Sequence, residues 1–372
     1  MKIGLGLYKN SLNSRNFTFA KQAGATHIVA HLTDYFGDHN PEISSGTEDG
    51  WGQVANAKPW TEEDLLGLVR TIRDHGLTLA AIENFDPAHW HDILLDGPDK
   101  HKQIELIQNT IRAVGKAGIP VIGYNFSIAG VWGWTRGPYA RGGAMSVAFD
   151  ASQIDPQQPI PDGMVWNMRY RATRSDGVVA EVASDELWQR LTWFLQQVLP
   201  VAEEAGVSLA LHPDDPPMDT LRGAARLVNR PEKYQRLMDI SASPSNRLEL
   251  CLGSVQEMPH SSMDVYQTVE KYVRENRVGY IHFRNVIGKV PKYAEVFVDE
   301  GDIDMPRIVS LLHACQYDGV LVPDHTPALE CDASWHAGMA YALGYMKALV
   351  QLASQGRLNH LAPRPDVSTV AA

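Results

Sequence analysis

Cysteine is scarce in this chain: three residues in 372, Cys251, Cys315 and Cys331. An odd set with no close spacing is not a disulfide framework, and it fits a reducing compartment. Long apolar runs are missing as well. No stretch reaches the roughly 18 residues that a membrane span needs. The opening MKIGLGLYKN holds an apolar run too short for a signal peptide and reads as a first strand. A cytoplasmic location is therefore expected. There is no basic block, and the formal charge is −11, which argues against nucleic acid and anionic membranes as partners. No Gly-rich phosphate loop follows a strand: GLGLYKN is not GxGxxG, and no Walker pattern occurs. Apart from a repeated strand–helix unit there is no internal repeat.

Apolar residues make up 44% of the chain, enough for a large core. Short β-rich runs alternate with longer amphipathic stretches. The expected strands are Lys2–Tyr8, His27–Leu32, Leu77–Glu83, Val121–Phe126, Ser208–His212, Leu248–Leu252, Gly279–Phe283 and Gly319–Asp324. Helical patterns cover Thr61–Asp74, His101–Ala117, Asp185–Ala205, Met263–Arg277, Met305–His313 and Ser334–Ala353. Thr61, with Glu63 and Asp64 behind it, forms a capping box, and Gly206 is a helix stop. Strand–helix alternation implies parallel strands joined by crossovers. The expected fold is α/β, a (β/α)₈ TIM barrel with its active site at the strand C-terminal ends. An open doubly wound sheet is the alternative. One barrel domain is expected over residues 1–355, with long loops at 33–59 and 127–184 and a tail at 356–372. Loops of that length serve as lids or oligomer contacts.

The ends of strands five to eight carry the chemistry. SLALHPDDPP ends on His212, LELCLGS near Cys251, GYIHFRN near His282, and GVLVPDH on Asp324 and His325. Two imidazoles, a thiolate and a carboxylate suit a divalent transition metal and argue against Mg²⁺ or Ca²⁺. A single buried histidine is ordinarily a satisfied core residue, and a buried cysteine a small hydrophobe. Four metal-competent side chains ending four successive strands are a different matter, because a barrel brings those ends together. Asp214 and Asp215 follow His212 in a proline-stiffened loop, which suits either acid–base work or a plain Asp-Pro turn. His325 is a natural proton carrier beside a metal. Arg284 fits a substrate carboxylate or a rim salt bridge. Trp134 and Arg136, in the loop after strand four, suit a sugar-acid pocket or a subunit contact. Glu83 and Asn125, at the ends of strands three and four, are assigned to the same pocket.

With QAGATHIV, GKAGIPVIGYNF, WTR, HPDDPP, LCLGS, HFRNV, EGDIDM and VPDH in order, the chain resembles the D-mannonate dehydratase family, within the xylose-isomerase-like barrels. The resemblance runs from about Lys2 to Val350. It implies one Mn²⁺ or Fe²⁺ ion held by His212, Cys251, His282 and Asp324, and a catalytic His325. It also implies a hydro-lyase that converts D-mannonate to 2-keto-3-deoxy-D-gluconate, working as a homodimer or homotetramer. Departures stand out. Thr326-Pro327 replaces the family's Gly-Arg, and Gly338-Met339 its Gly-Tyr. Gly344 stands where an arginine is usual. Glu295 lacks its companion histidine, and Gly137-Pro138 replaces the Asp after WTR. His336 and Tyr341 are candidate substitutes for the missing tyrosine. These changes leave open a related substrate, a metal-dependent sugar isomerase or epimerase, and a non-catalytic protein that binds sugar through the metal.

Overall fold

The computed structural model describes all residues except 36–50, 53, 55, 56, 174, 175, 260 and 362–372. Parallel strands β1 (Lys2–Leu7), β2 (His27–His31), β3 (Thr78–Glu83), β4 (Val121–Tyr124), β5 (Ser208–Leu211), β6 (Asn246–Cys251), β7 (Val278–His282) and β8 (Val320–Val322) close into a barrel in chain order, with β8 pairing back onto β1. All eight expected strands are therefore present. Phe126 and Asp324 lie just beyond the ends of β4 and β8.

Alternation along the strands sorts side chains between two cores. Ile28, Ala30, Leu209, Leu211, Ile281 and Leu321 face outward into the large core shared with the helices. Val29, Ala81, Ala210, Tyr280, Val320 and Val322 pack together inside the barrel. Glycine fills the inward positions where space is shortest. A β-carbon at Gly123 of β4 would stand 2.2 Å from the Tyr280 hydroxyl and 2.4 Å from Glu249 Oε2.

Helices α1 (Ser14–Gln22), α2 (Glu62–Asp74), α3 (Pro87–Leu95), α4 (Lys100–Lys116), α5 (Ser184–Ala205), α6 (Lys233–Ile240), α7 (Leu252–Glu257), α8 (Val265–Arg274), α9 (Met305–Ala314) and α10 (Ser334–Ser354) complete the architecture. The expected capping box on α2 is formed by Thr61 and Asp64. Gly206 ends α5 in the left-handed region, at φ 67°. Four helices were not anticipated: α1, α3, α6 and α7. Among the described residues no helix is long and apolar enough to cross a membrane.

Residues 127–184 supply part of a second sheet. Strands Trp134–Ala140 and Ala144–Asp150 form an antiparallel hairpin. Its second strand pairs with Lys292–Val296, which in turn pairs with Asn285–Lys289 from the connection after β7. Excursions from β4 and β7 thus meet in one four-stranded sheet, whose residues Trp134, Arg136 and Glu295 line the cavity described below. The lid expectation for the 127–184 loop concerned this region. The 33–59 loop falls mostly outside the described residues, as does the tail from 362 onward.

Candidate metal centre

Two residues beyond each inward-facing strand residue, the chain reaches the barrel mouth still pointing inward. On β5, Ala210 leads to His212, and on β8, Val322 leads to Asp324. Tyr280 leads to His282, Glu249 to Cys251, Ala81 to Glu83 and Gly123 to Asn125. Val29 leads to His31, and Gly6 leads to Tyr8. All of these end residues except Cys251 line a cavity at the mouth or its inner extension. The cavity volume is about 640 Å³.

His212, Cys251 and His282 form one potential metal-binding group, with their donor atoms within 4.8 Å of one another. Asp324 joins through His282: its Oδ2 lies 3.5 Å from His282 Nδ1. Both histidines are oriented by groups behind them. His212 Nδ1 donates to the Pro213 carbonyl at 2.6 Å, which leaves Nε2 to face the Cys251 sulfur. His282 Nε2 lies 3.1 Å from Glu249 Oε1 and 3.2 Å from Glu83 Oε2, which leaves Nδ1 toward Asp324. Hydrogen bonds of this kind fix the tautomer of a metal-ligating imidazole. Cys251 caps α7 and accepts from the Ser254 N–H at 3.4 Å.

The electrostatics match a cation site. Burial opposes the Cys251 thiolate, yet the Arg284 guanidinium and bonds from His212 and His282 hold its pKa well below the usual thiol range. Burial would likewise strip a proton from His212. The Cys251 bond and the Glu249 charge outweigh it and raise the imidazole to about 9. His282 is also pushed well up: Asp324, Glu83 and Glu249 outweigh the burial cost. Positive charge is thus demanded where a divalent ion supplies it. The donor set fits such an ion, and its nitrogen and sulfur donors suit the first-row transition metals.

His325 stands at the cavity wall. Its Nδ1 lies 3.0 and 3.1 Å from the two Glu295 oxygens and its Nε2 3.4 Å from Asp324 Oδ1. Burial would lower its pKa, but the charges of Asp324 and Glu295 raise it to about 9. Trp134 meets it edge-on, with ring centroids 5.4 Å apart.

Several expectations need correction. Arg284 is only 1% exposed. Its guanidinium meets Asp215 Oδ2 at 2.6 Å and Glu257 Oε1 at 3.1 Å, bonds Glu295, and approaches Asp324 at 3.6 Å. It is a buried charge hub that bonds carboxylates of the protein, the salt-bridge alternative of the sequence reading, and it also borders the inner cavity. Asp214 is absent from the cavity wall. Its Oδ2 accepts from the Leu227 and Val228 N–H groups at 2.7 and 2.9 Å, and its Oδ1 pairs with Arg226 at 3.2 Å. It braces its own loop. Asp215 borders the inner cavity, with both oxygens engaged by Arg284, Ser254 and Tyr293. Neither suggested substitute for the missing tyrosine reaches the main cavity. His336 bonds Asn16 at 3.0 Å, and the Tyr341 hydroxyl receives Arg141 at 3.4 Å. The cavity wall at that place is Met339, beside Thr326 and Trp335.

Tyr8 and His31 were overlooked. Both line the cavity, and His31 Nε2 lies 3.5 Å from Glu83 Oε2. Applying the strand-end count to β1 and β2, as to β5–β8, would have found them. Glu249, fully buried under His282, was also missed.

Comparison with known proteins agrees with this geometry. Residues 1–355 match the family described as D-mannonate dehydratase (UxuA). A mannonate dehydratase of Streptococcus pneumoniae is 33% identical over 284 residues, covering 73% of this chain and 76% of its own. One from Geobacillus thermodenitrificans is 32% identical over 287 residues, covering 72% and 75%. The crystal structure of mannonate dehydratase from Streptococcus suis superposes with a TM-score of 0.75 at 26% identity, covering 100% of this chain and 98% of that one.

Proposed function

This chain belongs to the D-mannonate dehydratase family and is a hydro-lyase, and from that premise we propose that it dehydrates D-mannonate or a closely related sugar acid at the mouth of the barrel. The observation that carries this reading is a His–Cys–His donor group that reaches the cavity through His282, on whose wall the Glu295–His325 pair also stands. His212, Cys251, His282 and Asp324 are the residues that would hold the ion, as Mn²⁺ or Fe²⁺. When bound, such an ion supplies Lewis-acid stabilisation of the charge that develops on substrate oxygens.

The rest falls to the chain's own side chains. A base removes the C2 proton. The C3 hydroxyl then leaves with a proton as water, and the enol ketonises to 2-keto-3-deoxy-D-gluconate. His325 is the proton carrier: its side chain stands 27% exposed on the cavity wall, beside Glu295. Arg136 and Trp134 face the same cavity from the overlying sheet and fit the carboxylate and the C–H face of the open-chain substrate. Asn125 and Glu83 line its inner part. Asp215 acts through Arg284 and Tyr293 rather than directly. We place the enzyme in the cytoplasm, as a homodimer or homotetramer.

Incubation of Mn²⁺-loaded protein with D-mannonate tests the reading, and appearance of a 2-keto-3-deoxy acid is the expected result. Epimerisation shares the first proton abstraction. NMR in D₂O with a panel of aldonates separates the two outcomes: deuterium entering C2 of recovered substrate without loss of water would replace elimination with isomerisation. No turnover of any aldonate would overturn both.

A further inference from the structure

Six residues close a circuit around the inner wall of the cavity. Trp134 Nε1 donates to the Tyr293 hydroxyl at 3.1 Å, and that hydroxyl donates to Asp215 Oδ1 at 2.7 Å. Arg284 donates to Asp215 Oδ2 at 2.6 Å and, through Nη1, to Glu295. Glu295 takes the Nδ1 proton of His325, whose ring returns to the edge of Trp134. Three of the six, Trp134, Tyr293 and Glu295, sit on strands of the four-stranded sheet, not on the barrel. Tyr293 and Glu295 are two apart on one strand and so face the same way. The sheet therefore grips the His325 ring at Nδ1 and at its edge.

We propose that Glu295 is a positioning residue that holds His325 with its proton on Nδ1, and that the overlying sheet is thereby part of the proton-transfer machinery. A carboxylate only accepts, so the imidazole nitrogen 3.0 Å away must be the donor. Nε2, 3.4 Å from Asp324 Oδ1, is then the nitrogen left to exchange protons with a substrate once Asp324 is engaged as a ligand. Arg284 serves the same end: its bond to Glu295 fixes the carboxylate from the opposite side. Orientation of a general base by a third group at its second nitrogen is worth orders of magnitude in rate. The role in catalysis rests on the proposed function of His325, whereas the tautomer does not.

Two measurements test it. In ¹H–¹⁵N NMR of the metal-free full chain, a downfield Nδ1–H resonance should vanish in His325→Asn and shift or broaden in Glu295→Gln. An unmoved resonance in Glu295→Gln overturns the proposal. In Mn²⁺-loaded enzyme, Glu295→Gln should lower kcat by about 10²-fold or more, with KM changed by less than about threefold. Metal content should hold, and Glu295→Asp should regain part of the rate. An unchanged kcat, or a loss that follows only KM or metal content, also overturns it. Where Glu295→Gln does not fold, Glu295→Asp keeps the charge beside Arg284, and its shorter reach must still move the resonance. Failure of the wild type to turn over D-mannonate would sink the proposed function while the NMR result still decides the tautomer.

Discussion

Gly338 of α10 backs onto Thr326 so closely that a β-carbon there would stand 2.4 Å from Thr326 Oγ1 and 2.8 Å from the Pro327 carbonyl oxygen. The hydroxyl can rotate away, but the carbonyl belongs to the backbone and cannot. This contact seats Met339 on the cavity wall and the Thr326 turn directly after His325. Gly338→Ala should therefore cost about 1–3 kcal/mol through overpacking, and it should raise KM by shifting Met339. Urea unfolding and steady-state kinetics together check this. Wild-type values for both would mean that the turn is free to move.

Arg284 compensates the buried carboxylates of Asp215 and Glu295, and Glu257, whose pKa burial raises well above the usual carboxylate range, lies 3.1 Å away. Removing one member of a buried charged set strands the others and costs about 3–5 kcal/mol. Arg284→Met should unfold well below the wild-type urea midpoint, in the absence of substrate and metal alike. An Arg284→Met protein with normal stability and only a raised KM would restore the substrate-binding role first expected of this residue.

Metal uptake should be coupled to proton release. His212 is held at about 9 and His282 well above its ordinary value in the metal-free site. A metal must displace those protons. Affinity should therefore rise with pH up to about 9, since proton competition fades as His212 titrates. Calorimetry of Mn²⁺ binding in buffers of different ionisation enthalpy should show at least one proton released near pH 7. Cys251→Ser should weaken binding severely, and unchanged metal content would contradict its place in the donor set.

Beneath the donor group, burial and the nearby Glu83 charge push Glu249 up to about 8. A carboxyl whose folded pKa exceeds its unfolded value binds more protons when folded, so its stabilising contribution is present at low pH. That contribution is lost as pH rises from about 4.5 through 8. Chelator-treated wild type should lose stability over that window, and Glu249→Gln should flatten the slope. Parallel slopes in the two proteins would place the titration elsewhere.

What the sequence disclosed follows from how local each signal is. The barrel strands are apolar runs bounded by glycine, proline and helix caps, and Thr61 or Gly206 can be read from their neighbours alone. His212, Cys251, His282 and Asp324 come together at the mouth because alternation carries an inward residue to an inward end. The same count applied to β1 and β2 reaches Tyr8 and His31. The ion-pair partners of Arg284 could not be read from the sequence because its four acidic neighbours come from residues 215, 257, 295 and 324, which no local pattern connects. Asp214 faces away from the cavity for a similar reason: the N–H groups it satisfies lie 13 and 14 residues ahead. The Asn285–Lys289 and Lys292–Val296 hairpin did leave a trace, an alternating VIGKVPKYAEV around Gly288 and Pro291, but its partner Ala144–Asp150 lies far back in the chain.

That distance bears on how the protein is made. Lys292 pairs with Asp150, so the hairpin 134–150 leaves the ribosome about 140 residues before the strand that completes its sheet, at synthesis rates of about 5–20 residues per second. During that interval its open edge has no mate from its own chain. The barrel needs only β8 to close, but Glu295 and Trp134 reach His325 only when both excursions have met. Nascent chains truncated before residue 285 therefore carry the first hairpin unpaired on the side later taken by Lys292–Val296 and lack the orienting carboxylate. Competence needs this antiparallel seam between two distant stretches of sequence as well as the closing strand β8, which brings Asp324 and His325 and emerges later still.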